Sequence, residues 1–302
     1  MNDAVKKPLL RGNLKKQERL ARYTSWRVGG PAETFYQPAD RDDLAVYLST
    51  LPAEEPLIFM GMGSNLLVRD GGIKGSVINL RSCLNRLELV PEQQGGLVYA
   101  EAGVMSAQLA RFAVKQDLSG SEFLAGIPGS VGGALAMNAG CYGSETWEFV
   151  EQVETVDVTG RMRIRRPQEY EVAYRSVRAP AQEWFVAGWF RFRVNEADAD
   201  RQRIRELLNR RSESQPINTY SCGSVFRNPP GDHAARLIES CGLKGFRIGG
   251  AQVSEKHANF IVNDQGASAA DIEQLIEYVR TQVEEKTGVR LQCEVRIVGE
   301  RA

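Results

Sequence analysis

Apolar residues in this chain come mostly in short runs broken by glycine, and only a few stretches carry a helical stripe. LIFM (57–60) and LLV (66–68) are brief β-rich runs on either side of Gly61-Met62-Gly63-Ser64-Asn65, and GLVYAEAGV (96–104) and WFVAGWFRFRV (184–194) read as further strands. MSAQLARFAVKQ (105–116) has helical spacing. A second helix places Ile204, Leu207 and Leu208 on one face, with Arg203, Arg205, Arg210 and Arg211 mostly elsewhere, and leads to Pro216. HAARLIESCG predicts a helix that ends at Gly242. The longest stripe is Ile272, Leu275, Ile276, Val279 and Val283, in a helix opened by the capping-box-like Ser268-x-x-Asp271 and closed by Gly288. VRLQCEVRIV (289–298) then predicts a strand. Val289, Leu291, Cys293, Val295 and Ile297 share one of its faces; Gln292, Glu294 and Arg296 share the other.

These elements suggest a division into residues 24–86, 87–213 and 214–302, with Pro216 near the last hinge. Residues 1–23 read as a helical extension whose basic residues (Lys6, Lys7, Arg11, Lys15, Lys16, Arg19) form a solvated face.

Residues 126–143, GIPGSVGGALAMNAGCYG, hold six glycines, one proline and no charge. A plain helix or strand is not expected there. Such backbone is either a tightly turned buried connection or a bare N–H surface that fits an anion or a flat ring. Gly61–Asn65 is not a Rossmann turn, because Leu66 stands where a third glycine belongs and the following residues are β-like. A hairpin turn and a pyrophosphate cradle both stay open for it. Taken together, the two segments fit a two-point grip on one dinucleotide.

Composition narrows the function classes. Of 302 residues, 42% are hydrophobic and 25% charged, and 38 basic residues balance 38 acidic ones, so no global field recruits nucleic acid or an anionic membrane. No apolar core follows the N-terminal charges, which argues against a signal peptide. The one charge-free run of membrane-spanning length is 126–143, and its glycines and proline argue against a span. Five scattered cysteines (Cys83, Cys141, Cys222, Cys241, Cys293) without CxxC spacing fit reduced thiols in a cytoplasm. His233 and His257 are the only histidines. That excludes a His-rich metal centre and a histidyl-linked cofactor in the first 232 residues; no metal is expected.

The motifs TSWRVGG (24–30), GMGSNLLV (61–68), GIPGSVGG (126–133) with MNAG (137–140), GSVFRNP (223–229), LKG (243–245), KHANF (256–260) and EVRIVG (294–299) occur in this order. With them the chain is similar to flavoenzymes of the vanillyl-alcohol-oxidase (PCMH) type. More closely, it resembles the UDP-N-acetylenolpyruvoylglucosamine reductase family from about Thr24 to Gly299. The resemblance implies an α+β fold, in which a two-subdomain FAD-binding unit precedes a C-terminal α+β substrate-binding domain. It implies FAD held non-covalently, NADPH as reductant, and reduction of an enolpyruvyl UDP-sugar to UDP-N-acetylmuramate for peptidoglycan synthesis; separately, a monomer is expected. Composition alone leaves Cys83 and Cys141 open as tethers. The cofactor contacts implied are Gly61, Gly63, Ser64, Asn65, Gly126, Ile127, Pro128, Gly129, Ser130, Gly133, Asn138, Ala139, Gly140 and Arg211.

Reducing an enolpyruvyl ether needs a hydride at one alkene carbon, a proton at the other, and stabilisation of the charge between them; the flavin would supply the hydride. Ser224, bracketed by Gly223 and Val225, is by itself a turn serine, and the resemblance makes it the proton donor. Glu294 on a polar strand face is by itself solvated. In the family's E-V-R motif it faces the site and stabilises the aci-carboxylate. Arg175 has the planar fork that matches a carboxylate; an ordinary surface pair with Glu169 or Glu171 is the alternative. Tyr174, Asn228 and Lys244 complete the implied substrate contacts, with Arg211 a further candidate for the diphosphate, although Lys244 could equally serve a helix C-terminus. Arg227 replaces the family's more usual lysine, and Val177 stands where its Tyr-Arg-x-Ser pattern has serine. The 49 steps from Arg175 to Ser224 are too few for the tyrosine-bearing loop of one branch, so the shorter type is implied.

Overall fold

The computed structural model describes residues 9–91, 95–194 and 197–302. Its helices are α1 (Arg41–Ser49), α2 (Ser106–Lys115), α3 (Val131–Met137), α4 (Ala197–Ser214), α5 (Ala234–Ser240) and α6 (Ala269–Thr287). Together with the sheets below they make a mixed α+β fold.

The first sheet runs Asn13–Arg19, Pro31–Gln37, Ile73–Asn79, Leu57–Met60 in space. Its first pair is antiparallel and the other two are parallel. The expected N-terminal helix is therefore wrong over its described part: Asn13–Arg19 is an edge strand, so the sheet begins ahead of Thr24. Cross-strand pairing decides this segment. It has no apolar stripe with which to dock as a helix, and its lysines protect an exposed edge. Lys16 Nζ donates to Thr34 Oγ1 at 2.6 Å. Lys6 and Lys7 lie outside the described residues.

The second sheet is antiparallel, in the order Met162–Arg165, Val150–Asp157, Glu183–Arg191, Leu97–Glu101, Leu87–Leu89. Val98, Leu109, Leu124, Val131, Leu135 and Phe190 join α2, α3 and this sheet in one buried cluster. The uncharged run 126–143 contains a short helix after all, α3, begun by Ser130 and ended by left-handed Asn138.

In the third part, α5 and α6 cover a small antiparallel sheet of Arg247–Ile248, Ala251–Val253 and Ile261–Asn263. The whole stripe of α6 is buried, and its capping box forms: Ser268 Oγ accepts from Asp271 N at 3.0 Å, and Asp271 Oδ2 from Ser268 N at 2.9 Å. Asp70 adds a second cap from the first part, accepting from Ala269 N and Ala270 N. Trp26, Val28 and Leu67 also bury themselves in this third core. Trp26 Nε1 donates to Ile261 O and Asn263 Nδ2 donates to Trp26 O, each at 2.8 Å. The expected strand over 289–298 is shorter, only Arg296–Val298, and it pairs in parallel with Leu66–Val68. The chain thus closes its last strand onto the first part.

Candidate active site

Leu57–Met60 and Leu66–Val68 pair with different strands, so Gly61–Asn65 is an open loop and not a hairpin turn. It faces the Gly-rich segment directly. A Cβ at Gly61 would lie 2.3 Å from Ser130 Oγ, and one at Gly129 would lie 3.3 Å from Ser64 Oγ. Between and beyond them opens a cavity of about 640 Å³, within the usual size range of small-molecule and cofactor sites. Gly61, Gly63, Ser64, Asn65, Gly126, Ile127, Pro128, Gly129, Ser130, Gly133, Ala139, Gly140 and Arg211 all line it. Added side-chain carbons at Gly129 and Gly133 would meet only the nearby Ser64, Ile127 and Ser130 atoms and otherwise enter the cavity. Bare backbone therefore forms its wall, which suits a flat ring and a pyrophosphate. Arg211 secures the segment by donating from Nη1 to Gly126 O at 2.6 Å.

Asn138 is the exception, since it does not line the cavity. Its side chain is spent on structure: Nδ2 donates to Glu145 Oε2 at 2.7 Å and Oδ1 accepts from Trp147 N at 3.1 Å. Cys83 lies outside this cavity too, whereas Cys141 lines it, with burial raising its thiol pKa.

Three separate segments meet on the cavity's lining, bringing Arg175, Ser224 and Glu294 to it. Glu171–Ala173 and Ser176–Arg178 form a hairpin whose two turn residues are Tyr174 and Arg175. Arg175 is left-handed, with φ 53, in a position that usually takes glycine or asparagine. Its Nη2 donates to Gly140 O at 2.8 Å and its Nε to Glu294 Oε1 at 3.2 Å. Glu169 and Glu171 pair instead with Arg165 and Arg178. The Ser224 loop and the Glu294 segment run side by side: Glu294 N donates to Val225 O at 2.8 Å, and Arg227 N to Gln292 O at 2.9 Å. Gly223, at φ 72, has no described atom within 4 Å of where a Cβ would stand, and Ser224 beside it lines the cavity. Burial raises the Glu294 carboxyl pKa; Arg175 and Arg227 pull it back without overcoming burial.

Asn259 supports Ser224 from behind. Its Oδ1 accepts from Phe226 N and its Nδ2 donates to Phe226 O, while its own carbonyl accepts from Val225 N. Nothing in the sequence alone marks KHANF as a clamp on a loop more than thirty residues earlier. The stacked Phe59 and Trp184, which also line the cavity, lack a local signal as well.

The remaining expected contacts stand apart from this cavity. Tyr174 is 46% exposed at the hairpin tip. Asn228 Oδ1 accepts from Ala234 N at the start of α5. Lys244 pairs with Glu239 at 3.1 Å, close after the end of α5.

Residues 32–164 match the family described as "FAD binding domain", and residues 215–298 match "UDP-N-acetylenolpyruvoylglucosamine reductase, C-terminal domain". With the bare cradle and the Arg175–Glu294 pair, this makes the chain an FAD-binding oxidoreductase. It is 54% identical over 300 residues to UDP-N-acetylenolpyruvoylglucosamine reductase of Nitrosomonas eutropha, covering 97% of this chain and 90% of that one. It is 57% identical over 290 residues to the enzyme of the same name from Methylococcus capsulatus, covering 96% and 94%. The crystal structure of UDP-N-acetylenolpyruvylglucosamine reductase from Thermus caldophilus matches with a TM-score of 0.80 at 32% identity, over 96% of this chain and 99% of that one. The chain belongs to the UDP-N-acetylenolpyruvoylglucosamine reductase family.

Proposed function

We propose that the chain uses NADPH and non-covalent FAD to reduce the enolpyruvyl ether of UDP-N-acetylglucosamine to UDP-N-acetylmuramate, as a cytoplasmic monomer. The observation that carries this is the meeting of Ser224, Arg175 and Glu294 on three bonded segments that line the glycine-rich cavity. In this reading residues 24–86 and 87–213 hold the flavin and 214–302 the sugar nucleotide. Bound there, FAD would supply the hydride-transfer chemistry between NADPH and the alkene. Gly61–Asn65 would hold the pyrophosphate by backbone N–H groups and the Ser64 hydroxyl. The Gly126–Gly140 wall would lie against the rings.

Ser224 delivers the proton to the other alkene carbon. A hydroxyl is a weak acid, but the carbanion beside a carboxylate is strongly basic, so placement matters more than acidity. Arg175 offers its fork to the substrate carboxylate as charge builds there. Glu294, with its pKa raised by burial, holds a larger protonated fraction near neutral pH than an ordinary glutamate. It can then donate a hydrogen bond to the aci-carboxylate. Tyr174, Asn228 and Lys244 would grip the rest of the substrate.

Anaerobic stopped-flow on Ser224→Ala tests this. NADPH should still bleach the flavin, while reoxidation by the enolpyruvyl substrate slows by roughly 10²–10⁴-fold. Two unchanged half-reactions would remove Ser224 as donor, and a wild-type flavin that only oxygen can reoxidise would remove the substrate assignment.

A further inference from the structure

Arg227 has no part in the chemistry just described, yet its bonds run to both sides of the catalytic pair. Its backbone N–H donates to Gln292 O, two residues before Glu294. Its Nη2 reaches 52 residues back along the chain and donates to the Arg175 carbonyl at 3.1 Å. That carbonyl belongs to the left-handed turn residue, a conformation unfavourable for a side-chain-bearing residue and kept only where surroundings enforce it. Arg227 Nε is buried with no hydrogen-bond partner among the described residues. An unpaired buried N–H is unfavourable, so packing alone is a poor account of an arginine here. The Glu294 carboxyl accepts from Arg175 on the hairpin, and the positive charge of Arg227 on the Ser224 loop also draws its pKa down. Glu145 stands 3.9 Å from the Arg175 guanidinium.

We propose that Arg227 is the positioning residue of the catalytic pair, holding Arg175 in its left-handed turn through the Arg175 carbonyl and keeping a fixed positive charge beside Glu294. Geometry and charge are separate contributions, and two substitutions distinguish them. Arg227→Met removes both; Arg227→Lys keeps the charge and loses the planar fork. The proposal rests on the reading of the site given above, so one readout is independent of turnover: titration of the Glu294 carboxyl by isotope-edited infrared spectroscopy, with Glu294→Gln as blank.

In Arg227→Met holoenzyme, the Glu294 titration should move to higher pH, because a stabilising cation is gone. Reoxidation by the enolpyruvyl substrate should fall on the order of a hundredfold, the scale of a displaced catalytic group, with flavin reduction by NADPH unaltered. Arg227→Lys should titrate like wild type and, with a shorter and differently aimed donor, reoxidise more slowly than wild type but faster than Arg227→Met. An unmoved titration together with wild-type reoxidation in Arg227→Met overturns the proposal, as does equal loss of both half-reactions, which marks a merely structural residue. If Arg227→Met does not fold, wild-type reoxidation in Arg227→Lys overturns the geometric claim by itself. If the wild-type flavin is not reoxidised by the enolpyruvyl substrate, the functional reading fails, and the Glu294 titration still decides Arg227.

Discussion

Glu294 is pulled in two directions: burial disfavours its charge while Arg175 and Arg227 favour it, and burial prevails. A carboxyl whose folded pKa is raised binds its proton more tightly folded than unfolded. Its contribution to stability is fully present below the unfolded value near 4.5 and is lost as pH rises through the raised one. Glutamine cannot ionise and escapes that loss. The melting temperature of Glu294→Gln relative to wild type should therefore shift in the variant's favour between pH 4 and pH 8. A pH-independent difference would show that burial does not dominate. Arg175, Ser224 and Glu294 could all be named from motif resemblance. The left-handed turn under Arg175 has no glycine or asparagine to announce it, and the clamp by Asn259 and the reach of Arg227 join residues 33 and 52 positions apart.

Among the elements, those whose signal is local were readable. α6 carries its stripe and caps within its own sequence, and α2 its periodicity. The Asn13–Arg19 strand and the shortened Arg296–Val298 strand depend on partners that no window of sequence contains. The two glycine-rich elements were recognised as a pair, and their glycines serve different ends. A Cβ at Gly63 would sit 2.2 Å from the Tyr23 carbonyl, at φ 61, whereas one at Gly129 meets only side-chain atoms beyond 3 Å. Gly63→Ala should fail to yield folded protein. Gly129→Ala should melt like the wild-type apoprotein and bind FAD at least about tenfold more weakly, a loss near 1.4 kcal/mol, seen by flavin titration. Wild-type affinity in Gly129→Ala would move the ring binding elsewhere.

For the whole molecule, the sequence suggested three parts in a row, and the structure ties the third back to the first. Trp26, fully buried, lies in the third core although it precedes the first part's second strand. Its neighbour Ser25 donates to Gly63 O at 3.2 Å, in the cradle loop. Trp26→Ala should lower stability by about 3–5 kcal/mol and release flavin in the same thermal transition. A third part that melts alone, with flavin retained, would contradict this closure.

That closure also sets a schedule for synthesis. Asn65 in the cradle donates to the carbonyl of Glu294 at a separation of 229 residues. At roughly 5–20 residues per second, a ribosome needs about 10–45 s to cover that distance. Throughout that interval the loop and Leu66–Val68 wait for their last partner, with the strand's edge uncovered. A nascent chain stopped before Glu294 could present much of the flavin cradle and none of the paired carboxyl. With its loop still open, colour and activity should arrive together, once the last strand is in place.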